Sequence, residues 1–351
     1  MSEGGAVTGG QTGGVIRNMY RRATKVLGSP WFRVLGTLVG VAVLVHSVDI
    51  PKAVASFGHA DPRWGFAALG LTCIAVVASV MEWGVLIRTV APVAAASHSG
   101  LFTWPRLGSQ YLQSLFFTQV LPAGVGGDAV RTVEMGKHVG HTRVLASLAG
   151  SRMAGMLGMA IWGLAAAILL RAFLGNGILA GIAVLAGVLM LVWTGALSAD
   201  RIAPHRLVTR ISAVLGRTLH SFTEAFSAYR RHPHAVAQCI VFGAAGWGVN
   251  LFALDLAARA IGVEMSWMVL AVCIPLGLLA ALVPFSVNGL GVREGVLVAF
   301  LVHMGLTGTH AAAVALLVDL QMVPFAIVGG VLLLRRRRAM TTPALAAAEQ
   351  T

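Results

Sequence analysis

Two glycine-rich segments have residue types and spacing suited to binding an anion. They read Leu121-Pro-Ala-Gly-Val-Gly-Gly-Asp-Ala-Val-Arg131 and Val283-Pro-Phe-Ser-Val-Asn-Gly-Leu-Gly-Val-Arg293. Glycine lets backbone amides approach a ligand closely, and a helix that starts after such a loop points free N–H groups and its positive dipole end at that ligand. An arginine in the first turn adds a bidentate donor that suits phosphate. The segments therefore predict a site for an anionic headgroup, most simply a phosphate.

The predicted substrate site combines both segments with their neighbours along the chain. Its residues are Pro122, Gly124, Gly126, Gly127, Asp128, Arg131, Arg152, Pro284, Asn288, Gly289, Gly291, Arg293 and Glu294. A plainer alternative stays open, in which Asp128 only caps a helix and both segment arginines only extend to the membrane interface. No histidine or cysteine spacing predicts a metal site, and no cofactor is expected.

A few ionisable residues lie within long apolar stretches, where charge is costly and often functional. Glu82 could pair with Arg88 or Arg152, and Asp319 could pair with Arg293, which should lie at a similar depth. For these residues a structural ion pair and a role in proton coupling both remain open.

The composition shows what kind of molecule must hold these residues. Of 351 residues, 57% are apolar and only 11% are charged, the mean hydropathy is +0.81, and the formal net charge is +13. A soluble domain has about 25% charged residues, so a water-soluble enzyme, a disordered tail and a nucleic-acid-binding domain are excluded. The composition predicts an all-α polytopic membrane protein.

Six apolar stretches are long enough to be predicted as full spans. They are Val34–Val48, Trp64–Ile87, Val144–Leu170, Ile178–Leu197, Ala235–Ile261 and His310–Leu334. Twenty of the 26 basic residues sort to one side of these spans. Because cytoplasmic loops are enriched in Lys and Arg, both termini are predicted to be cytoplasmic.

The two remaining apolar pieces, Leu107–Leu121 and Trp267–Val283, run directly into the glycine-rich segments. The first piece is predicted to be a re-entrant hairpin that enters from the cytoplasm, because Arg106 and Arg131 on either side of it sort to the same side of the membrane. By the same reasoning about its flanking residues, the second piece is predicted to be a re-entrant hairpin that enters from outside. Full crossing is the alternative for either piece.

The two segments also keep a common register. Proline and arginine are nine positions apart in both, and intervening Gly and Val residues match. This predicts an inverted repeat of discontinuous helices, as in secondary transporters. Coincidence in a chain with 42 glycines is the alternative.

The chain is accordingly divided into three parts. Residues 1–33 form a basic, Gly-rich cytoplasmic segment, 34–334 a single membrane domain, and 335–351 a cytoplasmic tail. The membrane domain contains the broken segments 107–143 and 267–305 and an amphipathic cytoplasmic helix, 201–232.

Four stretches together resemble the lysylphosphatidylglycerol synthase transmembrane region, also called the flippase-like integral membrane family. They are the Pro122–Arg131 loop, Ser151-Arg-Met-Ala-Gly155, Ala228-Tyr-Arg-Arg-His-Pro233 and Pro284–Glu294, and the resemblance covers roughly residues 34–334. It implies a multi-pass protein of the bacterial inner membrane that moves or handles lipids. The chain departs from the family in two respects. It ends 17 residues after the last predicted span, so no aminoacyl-transfer domain is expected, and Asp319 stands where many relatives should have a basic residue.

The favoured function is therefore that of a flippase-like transporter, more than that of an enzyme. Its substrate would be a phospholipid with an anionic headgroup or a polyprenyl-type lipid. The alternatives are a membrane-embedded transferase acting on a lipid-linked substrate and a non-transporting accessory subunit of a lipid pathway. A lipid-synthesising enzyme partner and an oligomer are left open, and no nucleic-acid partner is expected.

Overall fold

The computed structural model describes residues 57–58, 60–120, 126–198, 226–281 and 292–348, and within these ranges it contains helices and no strand. In chain order the α-helices are α1 (Pro62–Val90), α2 (Pro92–Ser97), α3 (Trp104–Val120), α4 (Gly126–Val139), α5 (His141–Leu169), α6 (Arg171–Leu197), α7 (Pro233–Ala260), α8 (Trp267–Ala281), α9 (Val292–His303), α10 (Gly308–Leu320) and α11 (Val323–Ala348). A 3-10 helix, Ser99–Leu101, follows α2.

Five stretches are long and apolar enough to span a membrane. They are Pro62–Val90, His141–Leu169, Gly177–Leu197, Pro233–Ala260 and Gly308–Arg336. At 1.5 Å per residue a 29-residue helix such as α1 is about 43 Å long, more than the ~30 Å hydrocarbon core. Large apolar side chains such as Phe66 and Leu191 are 74% and 71% exposed, as expected of a surface that faces lipid. The prediction of an all-α polytopic membrane protein is confirmed, while Val34–Val48 lies outside the described residues.

The last span is not the continuous helix that the sequence predicts. It is divided by a turn at Gln321–Met322, between α10 and α11. Pro324 has no N–H to donate to the Leu320 carbonyl, so the i→i−4 ladder is interrupted here. After the turn α11 continues past Leu334 to Ala348. Of the predicted amphipathic helix 201–232, the described residues form a helix over 226–231, where Phe226 and Tyr229 are buried.

The helices α1, α5 and α7 pack together as the centre of the bundle. Small residues allow this close approach. A Cβ on Gly158 of α5 would lie 2.7 Å from the backbone at Gly243 and Ala244 of α7, and one on Gly246 would lie 3.3 Å from Ala78 of α1. Backbones can pack closely in membranes only where side chains are small, so these glycines determine the helix spacing.

Buried apolar side chains form two clusters at opposite ends of α1. The first cluster surrounds the end of α1 and includes Trp83, Leu86, Leu107, Met135 and Tyr229. The second cluster contains residues from α5, α7, α8, α9 and α10. Its buried members include Leu254, Leu270, Leu301 and Val314. Ala60, just before α1, packs against this cluster. The clusters mark the two ends of the bundle.

The outer ends of α3 and α4 lie at the first cluster. The Arg88 guanidinium, near the end of α1, lies 3.9 Å from the Trp104 ring where α3 begins, and it donates to the Phe102 carbonyl. The end of α4 at Val139 is buried in the same cluster. The outer ends of α8 and α9 lie at the second cluster, where Trp267 packs edge-on against Trp162 and Met304 lies nearby.

The packing of these two helix pairs is reciprocal. The helices α3 and α4 pack on each other, and α3 also packs against α11. The helices α8 and α9 pack on each other, and α8 also packs against α5. Glycines allow both contacts. Gly329 and Gly330 of α11 face Leu112 and Phe116 of α3. A Cβ on Gly163 of α5 would lie 3.0 Å from the Ala271 carbonyl oxygen of α8.

Candidate functional site

A cavity of about 430 Å³ lies between the two clusters, at the centre of the bundle. Its walls come from α1, α3, α5, α7, α8, α9 and α10 and from the turn at Gln321–Met322. The polar side chains that line it are Ser79, Glu82, Tyr111, Ser151, Arg152, Asn250, Arg293 and Gln321. Apolar residues such as Met156 and Leu254 line the rest, so charged groups converge within a mostly apolar wall.

One charged group beside the cavity consists of a carboxylate between two arginines, of which Arg152 lines the wall. Asp128, in the first turn of α4, accepts from Arg131 Nη2 at 3.0 Å and from Arg152 of α5 at 2.6 Å. The Arg131 guanidinium also lies 5.0 Å from the Trp83 ring and 5.1 Å from the Tyr111 ring. The Arg152 side chain is 53% exposed and lines the cavity, whereas the Arg131 side chain is 12% exposed. Arg152 is therefore the arginine of this group that a ligand can reach.

A second charged group at the cavity consists of an arginine between two carboxylates, and its arginine lines the wall. Arg293, in the first turn of α9, donates from Nε to Glu294 Oε1 at 2.9 Å and pairs with Asp319 of α10. The sequence predicted this pair, because Arg293 and Asp319 should lie at a similar depth in the membrane. The Arg293 side chain is 32% exposed and lines the cavity.

The two charged groups have opposite signs. In the first, one acid joins Arg131 of its own helix to Arg152 of the following span. In the second, one arginine joins Glu294 of its own helix to Asp319 of the following span. Each group thus connects a helix that restarts after a glycine-rich segment to the span after it. Paired charges are tolerated at membrane depth because each partner offsets the desolvation of the other.

Glu82 has a different partner from the two arginines considered for it. Its Oε1 accepts from Ser151 Oγ at 2.7 Å, and the residue is only 5% exposed. Arg88 follows Glu82 by six positions, which is about 240° around a helix, so it points toward Phe102 and Trp104 instead. Arg152 is paired with Asp128. Glu82 nevertheless lines the same cavity.

The glycine-rich segments are only partly described. Pro122, Gly124, Pro284, Asn288, Gly289 and Gly291 lie outside the described residues. Gly126 and Gly127 form the buried first turn of α4. A Cβ on Gly127 would collide with the Ser114 carbonyl oxygen and Thr118 Oγ1, so this glycine allows α3 and α4 to approach each other.

Sequence reasoning missed several polar residues of the cavity, chiefly Tyr111 and Gln321. A signal for Tyr111 was available, because α3 carries buried Gln110, Gln113 and Ser114 within an otherwise apolar piece. Asn250 of α7 is another polar residue of the cavity. Its Oδ1 is buried without a hydrogen-bond partner among the described residues, and the side chain lines the cavity.

No group of three His, Cys, Asp or Glu side chains with metal-binding geometry occurs in the part of the chain that the structure describes. The polar residues of the cavity can donate to phosphate or carboxylate oxygens through their guanidiniums. Ser79, Tyr111 and Ser151 add hydroxyl groups.

An all-helical bundle with several membrane-spanning helices and a charged central cavity defines a multi-pass membrane protein. A family model described as the lysylphosphatidylglycerol synthase TM region matches residues 31–330. The chain belongs to this family, which confirms the resemblance inferred from its loops and connects it with membrane proteins of lipid modification or transport. Comparisons with curated proteins and with solved structures found no match.

Proposed function

We propose that this protein is a flippase-like transporter of the bacterial inner membrane, acting on a phospholipid or polyprenyl-type lipid with an anionic headgroup. The observation that carries the proposal is the central cavity, which is lined by Arg152 of α5 and Arg293 of α9 and lies among the membrane-spanning helices. Its volume of about 430 Å³ suits a headgroup, which leaves the acyl chains outside among the lipids.

The balance of charge supports weak, reversible binding. Three guanidiniums (Arg131, Arg152, Arg293) lie near four carboxylates (Glu82, Asp128, Glu294, Asp319). A phosphate would compete with those carboxylates for the two cavity arginines, instead of neutralising bare cations. Such competition lowers affinity, and a transporter needs a headgroup that leaves the site as readily as it enters.

The reciprocal packing supports an inverted repeat of two re-entrant hairpins. The pair α3–α4 has both outer ends at the first cluster and packs against the last span, whereas the pair α8–α9 has both outer ends at the second cluster and packs against α5. In this proposal the hairpins enter from opposite membrane faces and open alternately around the cavity, as in transporters built from discontinuous helices.

Each hairpin would be held by its own charged group. Opening α4 away from α5 must break Asp128–Arg152, and opening α9 away from α10 must break Arg293–Asp319. Glu82 and Asp319 are the carboxylates proposed to couple transport to a proton. Protonation of Asp319 would remove its ion pair with Arg293, and protonation of Glu82 would remove a negative charge from the cavity wall.

Translocation in liposomes tests the proposal. Proteoliposomes carry a fluorescent phosphatidylglycerol, and a membrane-impermeant reductant reports how much label reaches the outer leaflet. We expect Arg152→Gln and Arg293→Gln to slow translocation at least tenfold, the loss caused by removing a charged hydrogen-bond donor. Arg259→Gln is the matched control, since Arg259 also pairs with an aspartate, Asp255, but lies outside the cavity lining. Wild-type rates in both folded cavity variants would refute the proposed site.

A further inference from the structure

A second cavity, also of about 430 Å³, lies at the end of the bundle that contains the first cluster. It is formed by Thr89–Ala94 at and after the end of α1, by Val139–Arg143 at the end of α4 and the start of α5, and by Ala228, Arg231 and His232 before α7. Its described lining residues are different from those of the central cavity. This is the end that the arginine distribution predicts to be cytoplasmic.

The charged side chains that the structure describes in this second cavity are basic. Arg143, Arg231, His141 and His232 line it, and no acidic residue within the described ranges does. Arg143 and Arg231 are exposed, and neither has an ion-pair partner within the described ranges of the chain. This separates them from Arg131, Arg152 and Arg293, each of which pairs with a carboxylate.

The start of the 29-residue helix α5 forms one wall of the second cavity. Its N-cap residue, Gly140, has φ of 96° and supplies no side-chain hydrogen bond, and the first turn contains no acid. The first amides of a helix have no partner within it, and with the helix dipole they favour an anion. A helix start, two arginines without an ion-pair partner among the described residues and an open pocket therefore meet at one place.

We propose that this second cavity binds a phosphate group, presented either by the headgroup of an anionic phospholipid in the adjacent leaflet or by a free phosphate ion. Arg143 and Arg231 hold the phosphate oxygens as charged donors, and the first amides of α5 complete the site. The site goes beyond the transport function and does not depend on it, because the two cavities share no lining residue in the part of the chain that the structure describes.

Ligand titration of the purified full-length chain in detergent tests this site. The probes are inorganic phosphate, dihexanoyl phosphatidylglycerol and dihexanoyl phosphatidylcholine, and binding is followed by microscale thermophoresis. All chains carry Arg152→Gln, so that binding in the central cavity is weakened throughout. We expect Arg143→Gln with Arg231→Gln to weaken binding of phosphatidylglycerol at least tenfold. The charge-preserving variant Arg143→Lys with Arg231→Lys should weaken this binding less, because it keeps both positive charges although it lacks the planar guanidinium donors.

The matched control is Arg106→Gln with Lys137→Gln, which removes two cations from residues outside the cavity lining. It should change the Kd less than twofold. Binding of both phosphate and phosphatidylglycerol identifies a general phosphate site, and binding of phosphatidylglycerol alone identifies a headgroup site. Equal affinity of the Arg143/Arg231 glutamine variant and the control for every probe would overturn the proposal. Loss of translocation in the liposome assay would leave it unaffected.

Discussion

At the scale of single residues, the central feature is Asp128, which joins two arginines that come from different helices. The Arg131 side chain is held among Trp83, Tyr111 and Asp128, and this leaves Arg152 to face the cavity. Removing the shared carboxylate would leave two like charges close together at membrane depth, one of them hardly exposed. That arrangement is costly because the lost attraction no longer offsets desolvation.

We expect Asp128→Asn to reduce the free energy of unfolding by about 2 kcal/mol, a value lowered from that of a fully buried pair because Arg152 is half exposed. Adding Arg152→Gln should restore part of the loss, since it removes one of the two unpaired cations. Thermal unfolding in detergent, followed by tryptophan fluorescence, measures both variants. Strictly additive effects of the two substitutions would contradict a shared charged group.

At the scale of helices, glycine contacts determine how closely the central helices pack. Gly158 of α5 lies directly against the backbone of α7, where a Cβ would be 2.7 Å from Ala244 N. Gly187 of α6 has no heavy atom within 4 Å of its Cβ position. The two residues make a matched pair, because both are helical glycines and only one lies in a close contact.

We expect Gly158→Ala to destabilise the protein by about 1–3 kcal/mol, because the added methyl group must push α5 away from α7. Gly187→Ala should cause no loss of stability, since alanine favours a helix more than glycine does. Melting temperatures of the two variants under identical detergent conditions provide the comparison. Equal melting temperatures would show that the α5–α7 contact tolerates a wider spacing.

At the scale of the whole molecule, the proposed inverted repeat requires the two helix pairs to enter from opposite faces. Four exposed positions mark their outer ends: Thr103 and Lys137 for α3–α4, and Ser266 and His303 for α8–α9. Of the native cysteines, Cys73 is exposed while Cys239 and Cys273 are buried, so replacing Cys73 alone provides a background that reacts little with thiol reagents.

Single cysteines at these four positions test the topology. In right-side-out and inverted vesicles, a membrane-impermeant maleimide should label Thr103→Cys and Lys137→Cys from one face and Ser266→Cys and His303→Cys from the other. The reason is that both ends of a re-entrant hairpin lie on one side of the membrane. Labelling of Thr103→Cys and Lys137→Cys from opposite faces would mean that α3–α4 crosses the bilayer completely.

Composition and local patterns in the sequence were enough to predict the class of protein, five of the spans that the structure describes, and the family. These features depend on apolar length, on proline and glycine, and on short motifs, all of which are local along the chain. The break at Gln321–Met322 was also open to local reasoning, since Pro324 follows it, but the long apolar run concealed it.

Which charged residues meet could be seen only in the folded structure. The contact of Arg152 with Asp128 joins residues 24 positions apart, and that of Ser151 with Glu82 joins residues 69 apart. Such pairs depend on how helices pack and rotate against one another, which helical periodicity in a nearly uniform apolar sequence does not specify. For the same reason only the structure placed Arg152, and not Arg131, in the cavity lining, and brought Arg143 and Arg231 together at its second cavity.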